Sequence, residues 1–416
     1  MIFRELTKEE YTAFEAKSPQ VDFMNRPEAY EAKILNGWET VLLGVTDDAG
    51  KVLAATLLAS IPVMKIYRYF YAQRGLLADY GDEAVLRFFT ENLKKYCHAR
   101  KGLYLLCDPV VFLRERDIDG NIVEGGFDHS DVIRTMEKVG WQHQGLGIGY
   151  TTAAYARFMF TLHLVGETEE SVYKKMHSQT RWSINKTLKQ CVEVREIGLD
   201  ELDIFLRMMD KTAERRSFYA REHDFFRNTI AAYGEHGRTL VAYLDIPKYR
   251  ERLEEEKAAL EQEIAETEAW LAETPTSRKY QTKLRVAREA LDLNTKKFAE
   301  ADALEQEHGS VINMATSFFT VYDDEVTYLY SGTDDRFRKY NAPYAIQWYM
   351  IREAIRLGID RYNFYGISGD FDKDSPDYGV YDFKRGFGGV VEELVGDFVL
   401  PIRPAAYAAY RKLKHE

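Results

Sequence analysis

Hydrophobic and polar residues alternate with two different periods along the first part of the chain. The apolar runs Thr40-Val41-Leu42-Leu43-Gly44-Val45 and Val52-Leu53-Ala54-Ala55-Thr56-Leu57-Leu58 flank Asp47-Asp48-Ala49-Gly50. Two such runs around a turn-forming stretch predict a β-hairpin. Tyr67 to Leu77 predicts a further strand region, rich in aromatic residues. Between Ala84 and Ala99 the period lengthens to that of a helix, with Leu86, Phe89, Leu93 and Tyr96 on one face. The short run Leu103-Tyr104-Leu105-Leu106 then predicts a strand that ends at Asp108-Pro109.

The same order of elements recurs downstream. A helical region from Glu169 to about Cys191 precedes a strand at Val192-Glu193-Val194, and a second helix spans about Leu199 to Ser217. A strand pair begins at Leu240-Val241-Ala242-Tyr243-Leu244 and resumes at Ser310 to Tyr322. Val326 to Tyr330 is a strand, Tyr344 to Leu357 a helix, and Asp360 to Tyr365 a strand. Two copies of one mixed α/β unit account for this order. The strand pair is interrupted by a charged, glycine-free insertion, about Pro247 to Leu304. In it Leu253, Leu260, Ile264 and Leu271 form one stripe, and Leu284, Leu291 and Phe298 another. Heptad stripes on either side of Glu273-Thr274-Pro275-Thr276-Ser277 predict an antiparallel coiled-coil hairpin. It should project as an arm that contacts RNA or a partner, or serve as a spacer or dimer contact.

Composition narrows the setting. A chain of 416 residues has room for two domains, and 45% hydrophobic with 30% charged residues is a globular balance. The start, MIFRELTKEEY, is charged from its fourth residue, which argues against a signal peptide. Apolar runs stay short of the roughly 20 residues a membrane span needs. Cys97, Cys107 and Cys191 are far apart and lack metal-ligand spacing, so reduced core thiols are expected. These features point to the cytoplasm. The net charge of −11 is unlike that of a dedicated nucleic-acid binder, so any RNA contact must use a local patch. One such patch runs from Ser171 to Cys191, with five Lys or Arg and no Asp or Glu. Lys174 and Arg181 are expected on one helical face and Lys175 and Lys186 on another, either as a solvated face or as contacts for an RNA or an anionic substrate.

From Tyr328 onward the chain carries Ser331-Gly332-Thr333, Tyr344 and Trp348, Tyr362-Asn363-Phe364-Tyr365-Gly366, and Asp382-Phe383-Lys384-Arg385-Gly386-Phe387-Gly388. The resemblance they carry is to the Fem family of non-ribosomal, aminoacyl-tRNA-dependent peptidyltransferases, which build peptidoglycan cross-bridges. It extends to Tyr71-Ala72-Gln73-Arg74-Gly75-Leu76, to Asp108-Pro109, to Arg181-Trp182-Ser183-Ile184-Asn185-Lys186 and to Thr212 to Arg221. It implies a mixed α/β (α+β) fold of two N-acetyltransferase-like domains facing a cleft. The expected boundaries are residues 1–155 for the first domain, 156–246 with 305–400 for the second, 247–304 for the arm, and 401–416 for a C-terminal helix packing back on the first domain. The arm would resemble the tRNA-binding arm of seryl-tRNA synthetase.

The implied reaction moves glycine, alanine or serine from charged tRNA to a stem-peptide amine of lipid II or of UDP-MurNAc-pentapeptide. An ester to tRNA is already activated, so neither a metal nor a bound organic cofactor is expected, and the charged tRNA is the co-substrate. The site needs approach geometry, a deprotonated amine and donors aimed at the developing oxyanion. Lys384, between aromatic residues, is the candidate for the oxyanion or a phosphate, with Phe383 beside it. The resemblance gives Arg215 and Tyr219 to the precursor's phosphates, with Arg216 as the alternative register, and Lys33 to the same diphosphate. Tyr328 and Tyr330 alternate with Leu329, so one shared sheet face is expected, either core or ligand-facing. Asp108 is a candidate proton acceptor or a turn cap. The partners implied are aminoacyl-tRNA and the precursor, with possible peripheral contact at the inner face of the plasma membrane, in a monomer or homodimer. Two other readings stay open: a coenzyme A-dependent N-acyltransferase, for which Arg385-Gly386-Phe387-Gly388-Gly389 is the nearest phosphate-binding turn, and a non-catalytic coiled-coil scaffold.

Overall fold

A computed structural model describes residues 1–150, 155–216 and 221–414. It contains two eight-stranded sheets. The first runs Ile2–Glu5, Glu39–Thr46, Val52–Val63, Tyr67–Ala72, Gly102–Cys107, Phe398–Pro401 and Gln142–His143, with Leu77–Ala78 paired to the third strand. The second runs Val192–Ile197, Gly237–Asp245, Val311–Val321, Glu325–Thr333, Arg361–Ile367, Phe158–His163, Val390–Leu394 and Phe112–Glu115.

Each sheet is antiparallel apart from one parallel pair. In the first, Tyr67–Ala72 runs parallel to Gly102–Cys107, and the helix Glu83–Ala99 makes the crossover. In the second, Glu325–Thr333 runs parallel to Arg361–Ile367, with Ala342–Leu357 between them. Parallel neighbours cannot be joined by a tight turn, so each pair needs a helix of this length. The crossover helix of the first sheet starts at Asp82, whose carboxylate accepts the Val85 N–H at 3.0 Å. It buries Leu86, Phe89 and Leu93 completely, each contributing about 2 kcal/mol through lost contact with water.

The chain does not divide cleanly at residue 155 or at residue 400. Phe112–Glu115, from the first part, forms the edge of the second sheet against Val390–Leu394. Phe398–Pro401, from the second part, enters the first sheet between Gly102–Cys107 and Gln142–His143. The two halves therefore exchange strands. The final helix, Pro404–Lys414, packs Tyr407 and Tyr410 on Tyr104 of the first sheet, with ring centroids 4.8 and 5.9 Å apart.

The basic stretch is two helices, Glu169–Lys175 and Ser178–Lys189, where the sequence predicts one. Met176 leaves the helical conformation at ψ 151°, and the His177 ring accepts the Gln179 N–H to start the next helix. The patch is thus not one continuous face.

Two long helices, Ile246–Glu273 and Arg278–His308, leave the second sheet between its paired strands and run antiparallel to each other. Arg250 bonds Asp302 at 2.6 Å, Lys283 lies 3.3 Å from Glu263, and Arg288 bonds Glu268 at 2.6 Å. The centre of the seam is not the Leu284, Leu291 and Phe298 stripe, which is only half-buried; Ala287, Asn294 and Ala301 are buried there, facing Leu253 and Thr267. Asn294 donates to the Leu253 carbonyl at 3.1 Å, and a buried amide at such a position selects the helix register. The base of the pair belongs to the domain core, because Tyr249, Leu253 and Ala301 join the main cluster of the second sheet.

Candidate active site

A cavity of about 1720 Å³ opens between the two halves. The first half supplies Lys33, Trp38, Tyr69 and Tyr71; the second supplies Tyr328, Tyr330, Tyr344, Phe383 and Lys384. The halves meet around it through specific bonds. Arg26 holds Asp324 at 2.6 Å, Tyr322 donates to Glu28 at 2.8 Å, and Asn228 donates to the Leu35 carbonyl at 2.9 Å.

Lys33 sits in the last turn of the helix Pro27–Leu35. Its ammonium lies 4.3 Å from the Trp38 ring centre and 5.8 Å from that of Tyr71. Burial pulls its pKa down to about 8, and the positive charge of Arg221 adds to the effect. Arg221 comes from the other half, packs over Phe225 at 4.3 Å and also lines the cavity. Two cations from two halves thus face a shared space. Neither Trp38 nor Arg221 stood out in the sequence; a lone tryptophan five residues after Lys33 carries no periodic signal.

Lys384 lies in the helix Tyr378–Arg385 and is buried. Its Nζ donates to the carbonyls of Gly366 at 2.6 Å and Tyr365 at 3.2 Å. Those carbonyls are turned by an irregularity in Arg361–Ile367, where the register shifts between Asn363 and Gly366. Tyr365 occupies the left-handed region at φ 64°, and its N–H is received by the Asn363 side chain at 2.7 Å. A non-glycine residue there costs on the order of 1 kcal/mol. Burial alone lowers the Lys384 pKa to about 7. Phe383, beside it, packs edge-on to Tyr344 with centroids 5.0 Å apart.

Asp108 does not line this cavity. It is buried, accepts the Arg74 N–H at 2.7 Å, and lies 3.5 Å from the Arg74 guanidinium. Asp22 approaches the same guanidinium at 3.7 Å, and the Tyr365 hydroxyl lies 3.3 Å from it. Burial pushes the Asp108 pKa up against the pull of Arg74. Its place is that of a charge partner for Arg74, which ties the first half to Tyr365 of the second; the proton-acceptor reading has no geometric support here.

Arg215 lines the cavity but is engaged by Asp335 and by the Thr333 hydroxyl, the latter at 3.3 Å. Tyr219 lies outside the described residues. Tyr328 and Tyr330 both border the cavity, yet they do not share a sheet face. The register of Val311–Val321 with Glu325–Thr333 shifts between Phe318 and Phe319. That bulge sends Tyr328 to the Phe319 and Tyr362 side, while Leu329 and Tyr330 join Phe226 and Phe318 on the other. An extra residue in one strand reverses the alternation beyond it.

The basic stretch is largely spoken for. Lys174 pairs with Glu170 at 2.6 Å, and Lys175 pairs with Glu167. Arg181 donates to the carbonyls of Lys174 and Met176, which clamps the helix break. Lys186 lies 5.0 Å over the exposed ring of Trp182.

The family model described as FemAB family matches residues 6–415. The aminoacyltransferase FemA of Staphylococcus aureus (strain MRSA252) is 34% identical over 414 residues, spanning 100% of this chain and 98% of that protein. The aminoacyltransferase FemA of Staphylococcus epidermidis is 36% identical over 416 residues, spanning 100% and 99%. The crystal structure of FemX superposes with a TM-score of 0.80 at 24% identity, covering 98% of this chain and 99% of that one, and so shares the fold. With a cavity built jointly by both halves and relatives matched from end to end, this chain belongs to the FemAB family of aminoacyltransferases.

Proposed function

We propose that the cavity binds a peptidoglycan precursor by its diphosphate and sugar-peptide, and that a stem-peptide amine there takes an aminoacyl group from charged tRNA. The observation that carries this reading is the convergence of Lys33 and Arg221, one from each half, on a cavity walled by aromatic rings. Two cations held close together, with one proton already weakened, gain most from an anion placed between them. Tyr69, Tyr71 and Trp38 offer flat apolar surface for a sugar or nucleoside.

In the reaction the amine nitrogen attacks the ester carbonyl carbon. The new C–N bond forms, the C–O bond to the ribose breaks, the amine gives up a proton and the ribose oxygen gains one. Lys384 has three N–H donors when charged and spends two on the Tyr365 and Gly366 carbonyls. The third serves the oxyanion of the tetrahedral intermediate, a type of contact worth about 3 kcal/mol. The two carbonyls hold the nitrogen still, so the donor needs no reorganisation. The helical pair Ile246–His308 is the arm of this reading, a coiled-coil hairpin that receives the body of the tRNA outside the cavity.

The test is mass spectrometry of lipid-linked and nucleotide-linked precursors after incubation with a total pool of charged tRNA. A mass gain of one glycine, alanine or serine on either precursor is expected, abolished by ribonuclease. No gain on either, with every aminoacyl group present, overturns the reading.

A further inference from the structure

The hairpin tip between Val52–Val63 and Tyr67–Ala72 is built against local preference. Met64 and Lys65 both take left-handed backbone conformations, at φ 51° and 63°, where glycine or asparagine would cost less. Met64 is 44% exposed and Ile66 is 62% exposed, so the apolar side chains are not there to fill a core.

Basic residues lie on this tip, on the turn beside it and on the helix that leads into that turn. The Arg68 N–H donates to the Lys101 carbonyl at 2.9 Å, which brings the turn after the helix Glu83–Ala99 against the base of the hairpin. From Lys94 to Lys101 the chain reads Lys-Lys-Tyr-Cys-His-Ala-Arg-Lys, without an acidic residue. Lys65, Lys94, Lys95 and Lys101 are exposed, and among the described residues none of them forms an ion pair. The acidic Glu39 nearby is paired to Arg68 at 2.9 Å. The stretch contrasts with Lys174 and Lys175, which are neutralised by their own glutamates. In a chain of net charge −11, four unpaired lysines on the tip, on the turn beside it and on the last turns of the helix before it form a distinct basic stretch.

Its position bears on function. Ile61 pairs with Tyr69 across the hairpin, and both line the cavity. The tip begins three residues beyond that pair, about 10 Å at strand spacing.

We infer that this surface docks on an anionic lipid bilayer, with Met64 and Ile66 entering the headgroup layer and the lysines meeting lipid phosphates. Charge complementarity together with aliphatic tips fits a bilayer. A single-stranded RNA surface would instead present flat aromatic rings for bases, and here Tyr96 is covered by Arg100 at 3.5 Å. Among the described residues no helix is long and apolar enough to cross a membrane, so the contact is with the bilayer face. Docking there places the cavity wall beside the lipid surface.

The experiment is co-sedimentation of the full chain with vesicles of phosphatidylcholine alone or mixed with phosphatidylglycerol. Parallel filter binding uses total tRNA. Binding to the anionic vesicles, weakened by salt, is expected, with little on phosphatidylcholine. The double variant Lys94→Glu, Lys95→Glu should lower vesicle partitioning about 25-fold or more, from roughly fivefold per lysine. Met64→Ser with Ile66→Ser should lower it about tenfold. Both should keep the melting temperature of the parent, since the side chains are exposed. Failure of the parent to bind anionic vesicles overturns the inference, as does binding indifferent to both variants. Loss of tRNA binding with vesicle binding intact in the lysine variant also overturns it, and assigns the patch to RNA.

Discussion

The Lys384 ammonium nitrogen lies 2.6 Å from the carbonyl oxygen of Gly366. That bond, with the one to Tyr365, fixes a buried amine at the cavity wall. It rests on a strand irregularity whose far side is tied to Arg74 through the Tyr365 hydroxyl.

Lys384→Met should therefore lower the rate of transfer about a hundredfold, the usual cost of losing one preorganised donor at an oxyanion. Methionine fills the same volume without a charge, so the fold should persist. Steady-state rates read beside thermal melting check this. A near-normal rate with unchanged melting would remove Lys384 from the reaction.

Acceptor binding should depend on pH through Lys33. Its folded pKa is lowered to about 8, and a diphosphate prefers the charged form. Below pH 8 the ammonium is present before the ligand arrives, so affinity is flat. Above pH 8 the proton must be taken up on binding, and affinity falls by up to about tenfold per pH unit until the pKa of the complex is reached. Calorimetry in buffers of different ionisation heat should show proton uptake between pH 8 and 9. Lys33→Arg keeps its charge throughout and should flatten the profile. A flat profile in the parent protein would remove Lys33 from the anion contact.

Arg221 and Arg215 should separate in their effects. Arg215 is held by Asp335 and Thr333, whereas Arg221 packs on Phe225 with its charge felt at Lys33. Arg221→Ala should raise the KM for the precursor by about tenfold or more, the worth of one charge-assisted hydrogen bond of roughly 2 kcal/mol. Arg215→Ala should raise it less, because the Arg215 charge is already spent on Asp335. The KM for charged tRNA should stay within a few-fold in both. The reverse order would place the diphosphate at the Asp335 end of the cavity.

Removing the whole helical insertion, Lys248 to Ala303, should unfold the second half, because Tyr249, Leu253 and Ala301 are core residues and Glu300 accepts the Tyr340 hydroxyl. A shorter deletion, Ala259 to Leu291 closed by a Gly-Ser link, leaves that base in place. The packed helices are about 10 Å apart, a span a short link can bridge. The shortened protein should keep its melting transition and its precursor binding. Transfer from full-length charged tRNA should fall, and transfer from a short aminoacyl-ester mimic should change little. Equal loss of both would make the arm a support for the site.

Periodicity and turn chemistry made most of the elements legible from the sequence. Leu86, Phe89 and Leu93 lie on the buried face that their spacing predicts. The repeated order, an antiparallel run followed by a helix-bridged parallel pair, is present in both sheets. The family motifs are legible in the sequence alone, and Lys33, Lys384, Phe383, Tyr328, Tyr330 and Arg215 all reach the same cavity. What a local pattern encodes is which side of an element is apolar. It does not encode which sheet receives a short edge strand. Phe112–Glu115 and Phe398–Pro401 are each only four residues long, too short for a period to mark, and only the pairing of the assembled sheets sends each to the opposite half. A bulge likewise depends on the neighbouring strand, so the opposed faces of Tyr328 and Tyr330 were decided by Phe318 and Phe319. The chemistry of Lys384 and the assignment of Asp108 to Arg74 follow from burial, and burial is a property of the packed molecule: the amine's proton is weakened and the carboxylate is spent on a guanidinium because water has been removed from both.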